Sequence, residues 1–176
     1  MWAALVAVLL LAPPPDSAPT PSRIVFASKR TAVSQLYSVE PSGKGLAQLT
    51  FGTVDWDQPF PSPDGRYVIA LRQADLWLLR ADGRDARLIA RSMGDGPAYS
   101  WSADSRRFVY ATHDGEIWTA TVAGGTPRQI TAGRSGGYDS VPSLSPDGRS
   151  IAFVRTGRLA LPKLVVRRDG RDRTLL

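Results

Sequence analysis

Ser62-Pro63-Asp64-Gly65-Arg66-Tyr67-Val68-Ile69-Ala70 is a tight turn running into a short apolar stretch, and the chain repeats it as Ser145-Pro146-Asp147-Gly148-Arg149-Ser150-Ile151-Ala152-Phe153. A degenerate copy, Ser102-Ala103-Asp104-Ser105-Arg106-Arg107-Phe108-Val109-Tyr110, lies between them, and the leading serines are 40 and 43 residues apart. The chemistry is that of a hairpin. Pro presets φ, Asp bonds back to nearby backbone, and Gly takes the positive-φ position at which the chain reverses. Ser62, Pro63, Asp64 and Gly65, with Ser102 and Asp104 and with Ser145, Pro146, Asp147 and Gly148, are therefore structural turn residues. Ser105 stands where the other copies have glycine. A non-glycine residue held left-handed costs roughly 1–2 kcal/mol, so this turn is expected to be the least rigid of the three.

Other features keep the same step. Leu36-Tyr37, Leu76-Trp77, Ile117-Trp118 and Leu164-Val165 each open a short apolar segment, and a glycine turn follows each one. Then come Gln48-Leu49-Thr50, Leu88-Ile89-Ala90, Gln129-Ile130-Thr131 and Thr174-Leu175-Leu176. Apolar runs this short, bounded by turn residues, are strands rather than helices. Each unit holds four strands, a to d, with the Ser-Pro-Asp-Gly turn joining a to b. Strand a is expected near Gln58–Pro61, Ala98–Trp101 and Val141–Leu144, and fifteen strands result in all. Four-stranded units of about 40–45 residues are the mark of propeller blades. The fold class is all-β: a β-propeller of about four blades, over residues 23–50, 57–90, 97–131 and 141–176. The first blade lacks strand a, so the ring is expected to be incomplete, either an open arc of four blades or the N-terminal part of a larger propeller, and the chain alone is expected to associate or dissolve poorly.

At these residues the chain resembles the TolB-like, WD-repeat-like β-propeller family, whose hallmark is Pro-x-Trp-Ser-Pro-Asp-Gly followed by an apolar strand. Pro59-Phe60-Pro61-Ser62-Pro63-Asp64-Gly65 and Pro142-Ser143-Leu144-Ser145-Pro146-Asp147-Gly148 match it except at the Trp position, and Trp101-Ser102 keeps the Trp. The resemblance runs over about residues 23 to 176. It implies stacked blades and a binding role. Blades are scaffolds for many activities. The competing implication is a propeller attached to a prolyl-peptidase-type serine hydrolase, or a propeller lyase.

Composition narrows the chemistry. The 176 residues contain no cysteine, which excludes disulfides, thiolate metal sites and cysteine nucleophiles. The formal charge is +6, but the basic residues are spread along the chain and interrupted by acids, so no nucleic-acid footprint is expected. Trp2 to Ala12 is an apolar run of 11 residues, too short for a stable membrane span, which needs about 20, and of the length of a signal-peptide core. Residues 1–18 are expected to be an export signal ending at Asp16-Ser17-Ala18, and 19–176 the repeats, placing the protein in the periplasm or outside the cell.

Strand alternation assigns the loops. The a–b and c–d turns share one rim and are tight, while the b–c and d–a loops share the other and are longer and more varied. Binding residues concentrate on such loops, and Lys29, Arg30, Trp56, Met93, His113, Tyr138 and Arg158 are the candidates there for a protein partner. His113 is the single histidine, and no P-loop or His-x-x-x-His motif accompanies it. No catalytic residue, cofactor or metal site is expected. Asp55, Asp57, Asp95 and Asp139 are dispersed and match no calcium loop.

Overall fold

The computed structural model describes residues 23–93, 98–132, 137–157 and 161–175. The expected export signal lies outside them. Fifteen strands occur in these segments and no helix. The first sheet contains β1 (Ile24–Ser28), β2 (Gln35–Val39) and β3 (Ala47–Gln48). The second contains β4 (Trp56–Pro61), β5 (Tyr67–Arg72), β6 (Asp75–Arg80) and β7 (Arg87–Ala90). The third contains β8 (Tyr99–Trp101), β9 (Arg107–Ala111), β10 (Ile117–Thr121) and β11 (Arg128–Gln129). The fourth contains β12 (Tyr138–Leu144), β13 (Ser150–Thr156), β14 (Lys163–Arg168) and β15 (Arg171–Thr174). Every pairing is antiparallel between sequence neighbours, as expected of up-and-down propeller blades. The first sheet has three strands and the others four.

Strand a begins earlier than its turn chemistry suggests. Trp56 and Tyr138 pair with Arg72 and Thr156 and so belong to β4 and β12 rather than to loops. The reason is a bulge in each strand, at Gln58 (φ 49) and Val141 (φ 51). A proline follows each bulged residue. Proline lacks the N–H a ladder needs, and a bulge absorbs that gap while pairing resumes beyond it.

Side-chain parity organises the packing. In β5, Val68 and Ala70 join Val25, Leu36 and Leu49 of the first sheet, while Ile69 and Leu71 join Trp101, Phe108 and Tyr110 of the third. In β9, Phe108 and Tyr110 turn back to the second sheet, and Val109 turns forward to Phe153 and Val165 of the fourth. Each strand thus sends alternate residues into two different cores, the period-2 geometry of a sheet covered on both faces. Among the described residues the first and fourth sheets share no core cluster. Ile24 and Phe26 on one end face, and Val154, Leu164 and Val166 on the other, are accordingly only partly covered.

The repeated polar residues are bonded alike in each copy. The Ser62 hydroxyl donates to Asp64 Oδ1 (2.6 Å) and accepts from the Tyr67 N–H (3.0 Å), and Asp64 Oδ1 also takes the Arg66 N–H (3.0 Å). Ser102 with Asp104 and Ser145 with Asp147 repeat the pattern. The serine hydroxyl, then the backbone N–H, hold the Asp104 and Asp147 carboxyls below their ordinary range. Thr50 and Thr131, the last residues of the Gln-Leu-Thr motif, are buried and accept the N–H of Leu36 (2.9 Å) and Ile117 (3.1 Å). The second blade has Ala90 there, which pairs directly with Leu76 in the ladder instead.

Ser105 corrects one expectation. It does hold φ 60, where Gly65 and Gly148 hold 70 and 65. Its turn is nevertheless pinned, because the buried Ser105 hydroxyl accepts the Asp64 N–H of the neighbouring blade at 3.0 Å. Glycine could not make that bond, so a hydroxyl compensates for the strained backbone. Trp101 serves the same seam: its indole N–H donates to the Phe60 carbonyl (3.1 Å), and the Tyr99 hydroxyl donates to the Gln58 carbonyl (2.7 Å).

Two outcomes follow for the turns. Ser105→Ala keeps the left-handed strain and orphans the Asp64 N–H, and is expected to lower stability by about 1–3 kcal/mol. Ser105→Gly loses the bond but relieves the strain, and should fall well short of that; urea midpoints compare the two. Because the folded Asp147 carboxyl titrates below its unfolded value of about 3.9, its stabilisation is present above that pH and lost as the pH falls below it. The stability gap between wild type and Asp147→Asn should therefore be constant near neutrality and shrink in acid unfolding series below about pH 4.

Candidate functional site

The b–c and d–a connections gather at one rim of the stacked sheets, and the a–b and c–d turns at the other. Backbone bonds tie this long-loop rim from blade to blade. In the first three blades a residue just ahead of strand c offers its carbonyl: Ser34 to the Trp56 N–H (2.9 Å), Ala74 to the Met93 N–H (2.7 Å) and Gly115 to the Asp139 N–H (2.9 Å). Gly115 holds φ 74, and a Cβ there would run into the Tyr138 side chain. Glycine is required at that contact.

The largest polar constellation among the described residues belongs to the fourth blade and runs from this rim, at Asp139 and Arg155, toward the turn rim, at Arg167 and Asp172. Arg155 grips Asp139 with two bonds, Nε to Oδ1 (2.7 Å) and Nη2 to Oδ2 (2.8 Å), and reaches Asp172 through Nη1 (2.8 Å). Asp172 also takes Arg167 Nε (2.7 Å), and Arg167 Nη1 bonds the Ile130 carbonyl of the third blade. The guanidinium of Arg155 lies 5.0 Å from the Phe153 ring centre. The bond from Asp139, then that from Asp172, raise the Arg155 pKa above its already high value. One chain of charges thus joins all four strands of the blade and its neighbour. It is fully partnered and structural in character.

In the second blade the equivalent cross-strand pair is Trp56 and Arg72. There the guanidinium stacks over Trp56 (5.5 Å) and Trp77 (5.3 Å) instead of meeting a carboxylate. The first blade has a related arrangement, with Arg30 5.3 Å from both Phe26 and Tyr37. Arg72 and Arg155 stand at the same repeat position, ten residues after the leading serine, and alignment of the repeats pairs them.

The sequence candidates are dispersed over the rim. Lys29, Arg30 and His113 are exposed, and Tyr138 is 52 % exposed. Trp56 and Met93 are corrected: each is buried, Trp56 in the core between the first two blades and Met93 in the next, because β4 and the d–a connection tuck them under the rim. Arg158 and Asp95 lie outside the described residues. His113 sits in a turn closed by the Thr112 N–H to the Glu116 carbonyl (2.8 Å), and no hydrogen bond holds its ring among the described residues. Asp55 and Asp57 both serve Ser34, through its N–H (2.6 Å) and its hydroxyl (2.8 Å). Among the described residues no three His, Cys, Asp or Glu converge as metal ligands would, and no nucleophile, base and orienting group meet.

The rim also carries an exposed apolar set, of which only Tyr138 was legible in the sequence. Phe51 (73 % exposed), Tyr138, Leu161 and Leu175 lie on the long-loop rim, and Phe60 and Val141 (62 %) on the inner strands. Among the described residues, only Ile24 and Leu46 of the exposed large apolar side chains lie toward the turn rim. Val141 combines exposure with a left-handed backbone that a β-branched residue rarely adopts.

Similarity to known proteins agrees with the architecture. No protein-family model matches the chain. It is 29 % identical over 144 residues to a protein named TolB homolog from Chlorobium chlorochromatii, covering 76 % of this chain and 31 % of that protein. It is 34 % identical over 104 residues to a tricorn protease homolog from Saccharolobus solfataricus, covering 56 % of this chain and 10 % of the relative. Among solved structures, TolB from Acinetobacter baumannii superposes with TM-score 0.63 at 19 % identity, over 87 % of this chain and 40 % of that one. A prolyl endopeptidase superposes with TM-score 0.68 at 17 % identity, over 90 % and 28 %. The chain spans about a third of the length of the TolB homologs it matches.

The charge network yields a stability test. Arg155→Ala leaves Asp139, 3 % exposed, without its cation, and is expected to cost about 3–5 kcal/mol in denaturant unfolding. Asp172→Asn keeps the Asp139 pair intact and should cost clearly less.

Proposed function

We propose, for a chain that is a TolB-like β-propeller, a non-catalytic binding role in the periplasm or outside the cell, exercised on a protein partner at the long-loop rim. The observation that carries this reading is the uneven placement of exposed apolar side chains. Phe51, Tyr138, Leu161 and Leu175 crowd toward one rim, with Val141 and Phe60 on the adjoining inner strands. Exposed apolar side chains weighted toward one rim of a rigid frame support an interaction surface there, and Lys29, Arg30 and His113 are exposed polar groups on the same rim. Aromatic and arginine side chains of this kind are the usual anchors of protein interfaces. The relation to TolB homologs supports an exported binding propeller, and the apolar run of residues 2–12 supports export.

A second reading places these repeats beside a hydrolase domain, and the likeness to a tricorn protease homolog favours it. The two separate on the coding sequence beyond codon 176. A Gly-x-Ser-x-Gly motif several hundred residues on supports the hydrolase, and further blades followed by a stop support the scaffold.

Site-specific photocrosslinking in the native host tests the rim. A photoreactive residue at Phe51 or Tyr138 is expected to yield a discrete protein adduct, and one at Leu46, on the turn rim, none. Adducts at Leu46 alone, or at no position, would overturn the assignment.

A further inference from the structure

The geometry points to a second binding site, on the opposite rim, for a small organic anion: a carboxylate or phosphate on a short apolar body. It is the cleft between the third and fourth blades, a space of about 550 Å³ open at the turn rim. That lies in the size range of small-molecule sites. The corresponding cleft between the second and third blades is about 270 Å³.

The difference in volume follows from the repeat itself. The face that the third blade turns backward carries Trp101, Phe108, Tyr110 and Trp118. At the same four positions the fourth blade carries Leu144, Ile151, Phe153 and Val165. Trp101 spans its seam and bonds the Phe60 carbonyl (3.1 Å). Leu144 has no such reach, and its backbone N–H donates to the Ser100 hydroxyl (3.2 Å) instead. The opposing wall shrinks as well, with Val109 and Thr119 where the preceding seam has Ile69 and Leu78. Two sheets spaced by their backbones, with smaller side chains between them, leave a gap.

Charge gives the gap its selectivity. Arg107, Arg128, Arg149 and Arg167 line it, against the single carboxylate of Asp169. Two of these arginines are committed to the frame: Arg107 donates to the Gly148 carbonyl and Arg167 to the Ile130 carbonyl, so each is held in place across the seam. The guanidiniums of Arg128 and Arg149 form no hydrogen bond or ion pair among the described residues, and both side chains are exposed at the mouth. Guanidinium forks match the two oxygens of a carboxylate or phosphate. Val109, Leu144 and Ile151 form an apolar floor behind them. The arrangement suits an anionic head held at the mouth and an apolar tail laid between the sheets. It is independent of the partner rim, which lies at the other end of the strands.

Calorimetric titration of the full chain with hexanoate and hexyl phosphate tests this site, with hexanol and inorganic phosphate as controls. Both anions are expected to bind saturably, and both controls at least about tenfold more weakly. The double substitution Arg128→Gln with Arg149→Gln alters only exposed side chains and should weaken binding at least about tenfold. Leu144→Trp, which refills the gap while leaving every charge, should abolish binding without lowering the melting temperature. Absence of saturable binding by either anion would overturn the proposal. So would unchanged affinity in the double variant or in a folded Leu144→Trp variant, or equal affinity for inorganic phosphate.

Discussion

A four-stranded sheet of short strands has two faces, and in this protein both are apolar. Neither face can be left in water at the roughly 25 cal/mol per Å² that apolar exposure costs, and no helix among the described residues is available to cover one. The remaining solution is sheet on sheet, repeated. Alternate residues of β5 and β9 serve two different cores, so each blade is completed only by its neighbours. This is the nearest-neighbour logic of repeat proteins.

The seams carry the specificity that apolar contact lacks. Ser105 to Asp64, Trp101 to Phe60, Arg107 to Gly148 and Arg167 to Ile130 are all bonds between consecutive blades. Each uses one backbone group and one side chain, so a change of residue type at a repeated position changes the seam without changing the blade. The equivalent pairs Trp56 with Arg72 and Asp139 with Arg155 illustrate this: one position holds an arginine against an aromatic ring in one blade and against a carboxylate in another. The same variability gives the last seam its wider, basic cleft.

Function on such a frame lies where the repeat stops repeating. The turn rim is stereotyped in backbone and differs mainly in which side chains fill its seams. The long-loop rim differs in loop length, exposure and composition, and it collects Phe51, Tyr138, Leu161 and Leu175. A rigid stack with one variable rim and one unevenly filled seam has two places at which binding can be selective, and they can be altered separately.

The strands, their order and the blade architecture are legible in the residues alone. Ser-Pro-Asp-Gly turns, Leu-Trp strand starts and Gln-Leu-Thr ends act through local backbone chemistry, and local chemistry is written in consecutive residues. It also foretold the left-handed backbone at Ser105. What meets across a seam is set by the packing of whole sheets. The burial of Trp56 and Met93, the rescue of Ser105 by a neighbouring turn, the Asp139–Arg155–Asp172 chain and the cleft left by Leu144 all join residues from different strands or blades. Such contacts depend on how two sheets face one another, and that geometry is set by packing between surfaces distant in the chain rather than by the order of residues within either.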